Sequence, residues 1–129
     1  MVTDDSVKTR AKLIDILRCF AEFSEIYESS NGWEAIEAFK QKPVDVVIID
    51  IVMPIMDGIQ TLKELKSLDP GLLVVVISSL HQKEILYQSL ESGADQYILK
   101  PLEFDVIQST LENVLGRSLT LTCKPITNG

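Results

Sequence analysis

Five polar side chains that could do chemistry follow short apolar segments of the chain: Asp4, Asp5, Asp50, Ser78 and Lys100. Carboxylates grouped at one edge of a fold are costly unless a cation neutralises them, and oxygen ligands with open positions suit a hard ion such as Mg²⁺. Because Mg²⁺ retains waters and readily completes its octahedron with a phosphate oxygen, the set predicts phosphoryl chemistry. In that chemistry Asp50 is the nucleophile, Lys100 supplies positive charge and Ser78 donates a hydrogen bond to the phosphoryl group.

The segments before these residues are predicted to be strands of a parallel sheet. Residues 44–51 and 72–77 are nearly continuous aliphatic runs, typical of strands covered on both faces, and shorter strands are predicted at 24–29 and 97–99. Apolar residues at helical spacing predict five helices, near 8–21, 33–42, 59–68, 85–92 and 106–115. This alternation predicts an α/β fold, a doubly wound parallel sheet with helices on both faces, in which ligands bind at the carboxyl ends of the strands.

Four motifs follow one another along the chain: Asp4-Asp5, the run 46–58 around Asp50, Val-Ile-Ser-Ser at 76–79, and the run 93–101 that ends in Lys-Pro. In this order they resemble the receiver domain of two-component response regulators. The resemblance covers about residues 2–115. It implies a flavodoxin-like, five-stranded sheet of order 2-1-3-4-5. It also implies a receiver domain over 1–115, followed by a tail or linker stub over 116–129.

The resemblance implies that Asp50 accepts a phosphoryl group from a sensor histidine kinase or a phosphotransfer protein. Mg²⁺ would be held by Asp5, Asp50 and the backbone carbonyl of Val52, with Asp4 helping through water. Lys100 would hold phosphoryl oxygens. Gaining and losing this phosphoryl group would be the chain's only chemistry, so we expect no enzyme that turns over a separate substrate.

The resemblance also implies a switch. Ser78 would hold a phosphoryl oxygen together with the lysine, and Tyr97 would move inward when the Ser78 hydroxyl turns toward the phosphate. The face formed by the fourth helix, fifth strand and fifth helix would then change, and a downstream partner or detached output domain would respond. The Lys100-Pro101 bond is expected to be cis, which would aim the lysine at the site.

Simpler interpretations of the same residues exist. Asp4 and Asp5 also suit the cap of the first helix, and Asp57-Gly58 is most simply a turn and a helix start. Lys100 fits an ordinary exposed loop, and Tyr97 fits a half-buried aromatic that only packs.

Other functional classes stay open at this point. A receiver-like dimerisation module without phosphorylation is one alternative. A phosphohydrolase of the haloacid-dehalogenase type is a remote alternative, because that family needs a second aspartate two positions after the nucleophile. Val52 occupies this position after Asp50. The apolar side chain of Val52 also cannot orient a hydrolytic water, so we expect the phosphoryl group on Asp50 to be lost slowly. A Ser-His-Asp hydrolase using His81, predicted to lie in an exposed loop, lacks a G-x-S-x-G elbow, and no glycine-rich phosphate loop occurs.

The beginning and end of the chain depart from the family pattern. Only Met1 to Thr3 precede the acidic pair, so the first strand is predicted to be truncated. Either the start of this strand is mis-assigned, or the neighbouring strands tolerate a short strand, or another segment takes its place in the sheet. Residues 118–123 alternate polar and apolar like a strand, and we expect them to pair with a sheet edge in this chain or in a second copy. A linker stub is the alternative.

Composition limits the partners and the compartment. The 129 residues carry a net charge of −7, and all 19 acids lie within residues 1–115, so direct nucleic-acid binding is not expected. The longest aliphatic run, 72–77, is too short to cross a membrane, and the opening residues lead us to expect no secretion leader. Cys19 and Cys123 are too few for a disulfide framework or a zinc site. A reducing cytoplasm is therefore expected.

Overall fold

A computed structural model describes residues 1–53, 56–79 and 83–123 of the chain. The strands are β1 (Val2–Thr3), β2 (Glu28–Ser29), β3 (Val46–Asp50), β4 (Leu73–Ser78) and β5 (Gln96–Leu99). The helices are α1 (Val7–Leu17), α2 (Gly32–Gln41), α3 (Gly58–Leu68), α4 (Lys83–Glu91) and α5 (Phe104–Leu115). All strand pairs are parallel, and the order β2-β1-β3-β4-β5 confirms the predicted doubly wound sheet. Among the described helices, none is long and apolar enough to cross a membrane.

The sheet is covered on both faces because alternate residues of its central strands point to opposite sides. Ile48 and Val75 pack with buried residues of α1 and α5, whereas Val47 and Val74 pack with those of α2 and α3. Every residue of β3 is buried, as is all of β4 after its first residue, which explains the continuous apolar runs in the sequence. The two cores therefore fix the carboxyl ends of β3 and β4.

The first strand is short, as predicted, and its neighbours tolerate it. β1 lies between β2 and β3, and pairs with both of them. The residues on either side extend this pairing, since Ile48 N donates to Met1 O at 2.9 Å and Asp4 N donates to Ser29 O at 3.1 Å. Adjacent backbone groups of β2 and β3 thus keep partners although β1 has only two residues.

Two elements are shorter than predicted. The strand predicted at 24–29 is paired only over Glu28–Ser29, because its partner β1 is itself only two residues long. The helix predicted at 8–21 ends at Leu17, and the chain then turns so that Phe20 N donates to Leu17 O at 3.1 Å. Cys19 and Phe20 are buried in that turn, which is why the apolar pattern continues past the helix.

The segment at 118–123 pairs with the turn after α1 and not with an edge of the sheet. Leu121 forms an isolated antiparallel bridge with Phe20, and Ala21 N donates to Thr120 O at 2.9 Å. A disulfide joins Cys19 to Cys123. The cysteine count did not lead us to expect this bond, because the burial of Cys19 beside the returning chain is a tertiary feature.

Candidate functional site

Three carboxylates meet at the carboxyl ends of β1 and β3. Asp4 directly follows β1, Asp50 is the last residue of β3, and Asp5 is the next residue along from Asp4. Each contributes one oxygen to a group in which all three atoms lie within 4.8 Å of one another. Asp4 and Asp50 are buried, whereas Asp5 is exposed, so the group opens to solvent on the Asp5 side. Three negative groups this close repel one another unless a cation lies among them.

Asp4 has a buried carboxylate oxygen without a hydrogen-bond partner among the described residues. Its Oδ1 atom accepts a hydrogen bond from Ser6 N at 2.8 Å, while its buried Oδ2 atom has no partner among the described residues. Burial raises the pKa of Asp4 to about 6, opposed by the Ser6 hydrogen bond and reinforced by the nearby charge of Asp50. An ionised Asp4 therefore has no hydrogen-bond donor at its inner oxygen among the described residues, although the charge of Lys100 partly offsets the effect of burial.

The cap of α1 is Ser6 and not the acidic pair. The Ser6 side chain accepts from Thr9 N at 3.3 Å, which is the usual geometry of an N-cap. The capping interpretation of Asp4 and Asp5 was therefore wrong, and Asp5 is left free of that role. Asp57, by contrast, does cap α3, since its Oδ1 atom accepts from Gln60 N at 2.8 Å.

Asp50 is held by two donors. Lys100 Nζ lies 2.9 Å from Asp50 Oδ2, and Val52 N donates to Asp50 Oδ1 at 3.0 Å. Lys100 follows β5, and its own backbone N donates to Ser78 O at 2.8 Å, which joins it to the end of β4. Burial lowers the pKa of Lys100, but the hydrogen bond and charge of Asp50 outweigh burial and raise it. The lysine thus remains a cation beside the Asp50 carboxylate. The expected cis bond between Lys100 and Pro101 is present.

Ser78 lies at the same edge of the sheet as this group, and Tyr97 lies on β5 opposite Val76, two residues before that edge. Ser78 ends β4 and is fully buried, and its hydroxyl donates to Ser79 O at 3.1 Å. Ile77 pairs with Asp50, so Ser78 extends one residue beyond it at the same edge of the sheet. Tyr97 lies on β5 with 39% of its surface exposed, and Val52 is 46% exposed. His81 lies outside the described residues.

Sequence reasoning missed two residues that shape the site. Gly58 approaches the backbone so closely that an added Cβ would lie 2.6 Å from Asp50 O and 2.5 Å from Ile51 Cα. Arg10 donates from Nη1 to Asp4 O at 2.7 Å and pairs with Glu28, which fixes the loop after β1. The Asp-Gly pair signalled a turn, but nothing in the pattern around Arg10 distinguishes it from an ordinary surface cation of a helix.

Comparisons with known proteins agree with this geometry. Residues 1–112 match the family model described as "Response regulator receiver domain". The chemotaxis protein CheY of Halobacterium salinarum is 37% identical over 115 residues, covering 89% of this chain and 94% of that protein. The transcriptional regulatory protein ZraR of Klebsiella oxytoca is 35% identical over 127 residues, but this chain spans only 28% of its length.

A solved structure is similar over nearly the same range. The receiver domain of NtrX from Brucella abortus superposes with a TM-score of 0.82 at 29% identity, covering 91% of this chain and 98% of that one. The sheet order, the site at its carboxyl edge and these matches agree. The chain belongs to the response regulator receiver domain family, the receiving modules of two-component signalling.

Proposed function

We propose that the chain receives a phosphoryl group on Asp50, given by a sensor histidine kinase or a phosphotransfer protein. The observation that carries this proposal is the contact between a crowded carboxylate group and the Lys100 ammonium group. Within the described part of the chain, Asp50 is the member of the group that hydrogen-bonds Lys100, so it is already oriented by a donor that suits an incoming phosphoryl oxygen.

The residues fit a magnesium ion. The donor set consists of oxygens only, and the buried inner oxygen of Asp4 has no hydrogen-bond partner among the described residues, so a cation or its bound water would satisfy it. Asp5, Asp50 and the backbone carbonyl of Val52 would hold the ion, with Asp4 acting through water. Bound there, the ion supplies charge that draws the phosphoryl group toward the carboxylate.

The chain's own residues then perform the transfer. An Asp50 carboxylate oxygen attacks phosphorus, the new O–P bond forms, and the bond from phosphorus to the donor's imidazole nitrogen breaks as that nitrogen leaves. The Lys100 ammonium group shifts its contact from the Asp50 carboxylate to the phosphoryl oxygens and stabilises their negative charge. Ser78 contributes when its hydroxyl turns away from Ser79 O, where it donates at 3.1 Å, and toward a phosphoryl oxygen.

Tyr97 supplies the output step in this proposal. Its ring lies on β5 with 39% of its surface exposed, and Tyr97 pairs with Val76, two residues before Ser78, so in this proposal it moves inward when the Ser78 hydroxyl turns. The surface of α4, β5 and α5 changes as a result, and a separate partner or a detached output domain binds it. ZraR carries the word "transcriptional" in its name, which supports an output domain elsewhere in such systems.

We further propose a receiver domain over 1–115, a tail over 116–129 and a cytoplasmic location.

The test compares two variants that each remove one carboxylate charge. Wild type, Asp50→Asn and Asp57→Asn are incubated with Mg²⁺ and acetyl phosphate, and intact masses are measured. Asp57 is an exposed cap on the same loop, and asparagine also caps helices, so Asp57→Asn controls for charge and folding. We expect one phosphoryl mass gain in wild type and Asp57→Asn only, and no gain when Mg²⁺ is chelated.

Other outcomes would favour the alternative functions. Release of free phosphate from many phosphate esters would favour a phosphohydrolase, although Val52 occupies the place of its second aspartate. No mass gain in any variant, with a dimer in solution, would favour a dimerisation module without phosphorylation.

A further inference from the structure

We propose that Cys19 and Cys123 form a reversible thiol–disulfide exchange site, whose reaction partners are small thiols and their disulfides, and whose reduction releases residues 117–123. This inference goes beyond phosphoryl transfer and does not depend on it. The disulfide joins residues 104 positions apart with a Cα–Cα distance of 4.8 Å, a normal separation for such a bond.

The two cysteines have unequal access to solvent. Cys19 is 2% exposed, within the core that contains Phe20, Phe104 and Leu119, whereas Cys123 is exposed at the end of the described tail. Because Cys123 is the exposed residue of the pair, we expect a dissolved thiolate to attack at Cys123 and not at Cys19. Since attack on a disulfide depends on access to the sulfur, reduction has one defined entry point.

Contacts other than the disulfide hold the same segment in place. Glu22 accepts from Thr120 N at 2.9 Å and from Thr120 Oγ1 at 3.0 Å, and it pairs with Arg117 at 3.2 Å. Thr122 N donates to Cys19 O at 2.8 Å. Leu119 is buried. We call residues 117–123 with these partners the clasp.

After reduction, Cys123 stays tethered to the end of α5, close to the turn that holds Cys19. A short flexible tether gives an effective concentration of about the millimolar range, so the bond can re-form reversibly. In a reducing compartment, a disulfide of this kind is more often a redox-responsive bond than a structural one. This step rests on the proposed cytoplasmic location, in which the clasp fits a switch better than a permanent cross-link.

The chemistry balances with thiols alone. A thiolate attacks the Cys123 sulfur, the Cys19–Cys123 bond breaks, and Cys19 leaves as a thiolate that takes a proton from water. A second thiolate then attacks the mixed disulfide and releases Cys123, so two thiols become one small disulfide while the protein gains two thiols. Oxidation by a small disulfide runs the same steps backward.

The clasp lies at the opposite end of the sheet from Asp50. Arg117 and Glu22 line one cleft together with Met1 and Val46, which lie at the amino ends of β1 and β3. The carboxylate group lies at the carboxyl ends of those strands. We therefore expect the redox state to change the tail while leaving metal and phosphoryl uptake at Asp50 unaltered.

The experiment equilibrates the full chain in buffers that span a wide range of reduced to oxidised glutathione. Free thiols are trapped by alkylation and counted by intact mass, and amide hydrogen exchange is followed in parallel. We expect the thiol count to change reversibly between none and two. Reduction should remove protection from the amides of Leu119, Thr120 and Thr122, but not from those of β3. Cys123→Ser should match the amide protection of the reduced protein in every buffer.

A second variant tests the role of the clasp. Glu22→Ala removes the acceptor for Thr120 and Arg117, and should move the reduction midpoint by about threefold to tenfold toward less reducing buffers. Thiols that stay free in every buffer, a disulfide that survives the most reducing one, or dimers in place of the intramolecular bond would each overturn the proposal. So would equal amide protection in the oxidised and reduced forms. Beryllofluoride binding at Asp50 should be the same in the oxidised and reduced proteins. A protein that does not bind beryllofluoride in either form would contradict the proposed phosphoryl transfer and leave the thiol measurements unaffected.

Discussion

Replacing Asp4 by asparagine should stabilise the metal-free protein at neutral pH. The Asp4 side chain is buried, its Oδ2 atom has no partner among the described residues, and two further carboxylates lie beside it. Burial raises its pKa from 3.8 to about 6. A difference of that size corresponds to about 3 kcal/mol of lost folding free energy once the carboxyl is ionised. Because the group opens to solvent beside Asp5, we expect about 1–2 kcal/mol.

The pH dependence of this gain follows from the direction of the pKa change. A raised pKa means that the folded state binds the proton more tightly, so the wild type is most stable below the ordinary pKa and loses stability as pH rises from 3.8 to about 6. Asparagine has no proton to lose and still offers an acceptor to Ser6 N. The two proteins should therefore be nearly equal at about pH 4 and differ by the full amount at about pH 7.5.

Urea unfolding in the presence of a chelator measures this difference. Asp57→Asn serves as the control, because Asp57 is exposed and caps α3, and it should show no comparable gain. Adding Mg²⁺ should favour the wild type over Asp4→Asn, since bound metal stabilises the folded state that holds it. A variant that is less stable than wild type at neutral pH, or a gain that is equal at all pH values, would refute the reasoning.

Three further predictions concern other parts of the molecule. Gly58→Ala should cost about 1–3 kcal/mol in thermal or urea unfolding, because the new Cβ would lie 2.5 Å from backbone of Ile51; an unchanged stability would contradict the contact. Val52→Asn should speed loss of the phosphoryl group from Asp50, as followed by mass after removal of the phosphodonor, whereas an unchanged rate would show that Val52 does not limit water attack. The hydrogen bond from Thr120 N lowers the pKa of Glu22, so the contribution of Glu22 to the clasp is present above the ordinary value of 4.5 and is lost as pH falls through the lowered pKa. The hydrogen-exchange protection of the Thr120 amide should fall as Glu22 becomes protonated. Protection of this amide that persists in acid would contradict the prediction.

The alternation of apolar runs and helical patterns was enough to predict the fold class. β3 and β4 are buried on both faces, and strands of that kind are recognisable because they have no polar face. The sheet order came from the resemblance alone, since periodicity does not say which strands are neighbours. Short elements were predicted less well, because the ends of β2 and α1 depend on what they pack against.

The candidate site was likewise predictable from the sequence only in part. The types and order of Asp4, Asp50 and Lys100 in the sequence pointed to one edge of the sheet, because residues after parallel strands meet there. The short contact from Lys100 to Asp50 joins atoms that are 50 residues apart in the chain. That contact, the unsatisfied inner oxygen of Asp4 in the described structure and the close approach of Gly58 depend on how the elements pack.

The sequence by itself determined the layered α/β architecture and which side chains stand at the carboxyl ends of its strands, because local patterns of apolar residues encode burial. Only the tertiary structure decided where residues 117–123 go. Their alternating pattern fits any strand partner, and the choice of the turn after α1 depends on the buried Leu119, on Glu22 and on Cys19. Those contacts exist because the sheet and its helices place the carboxyl ends of α1 and α5 close together.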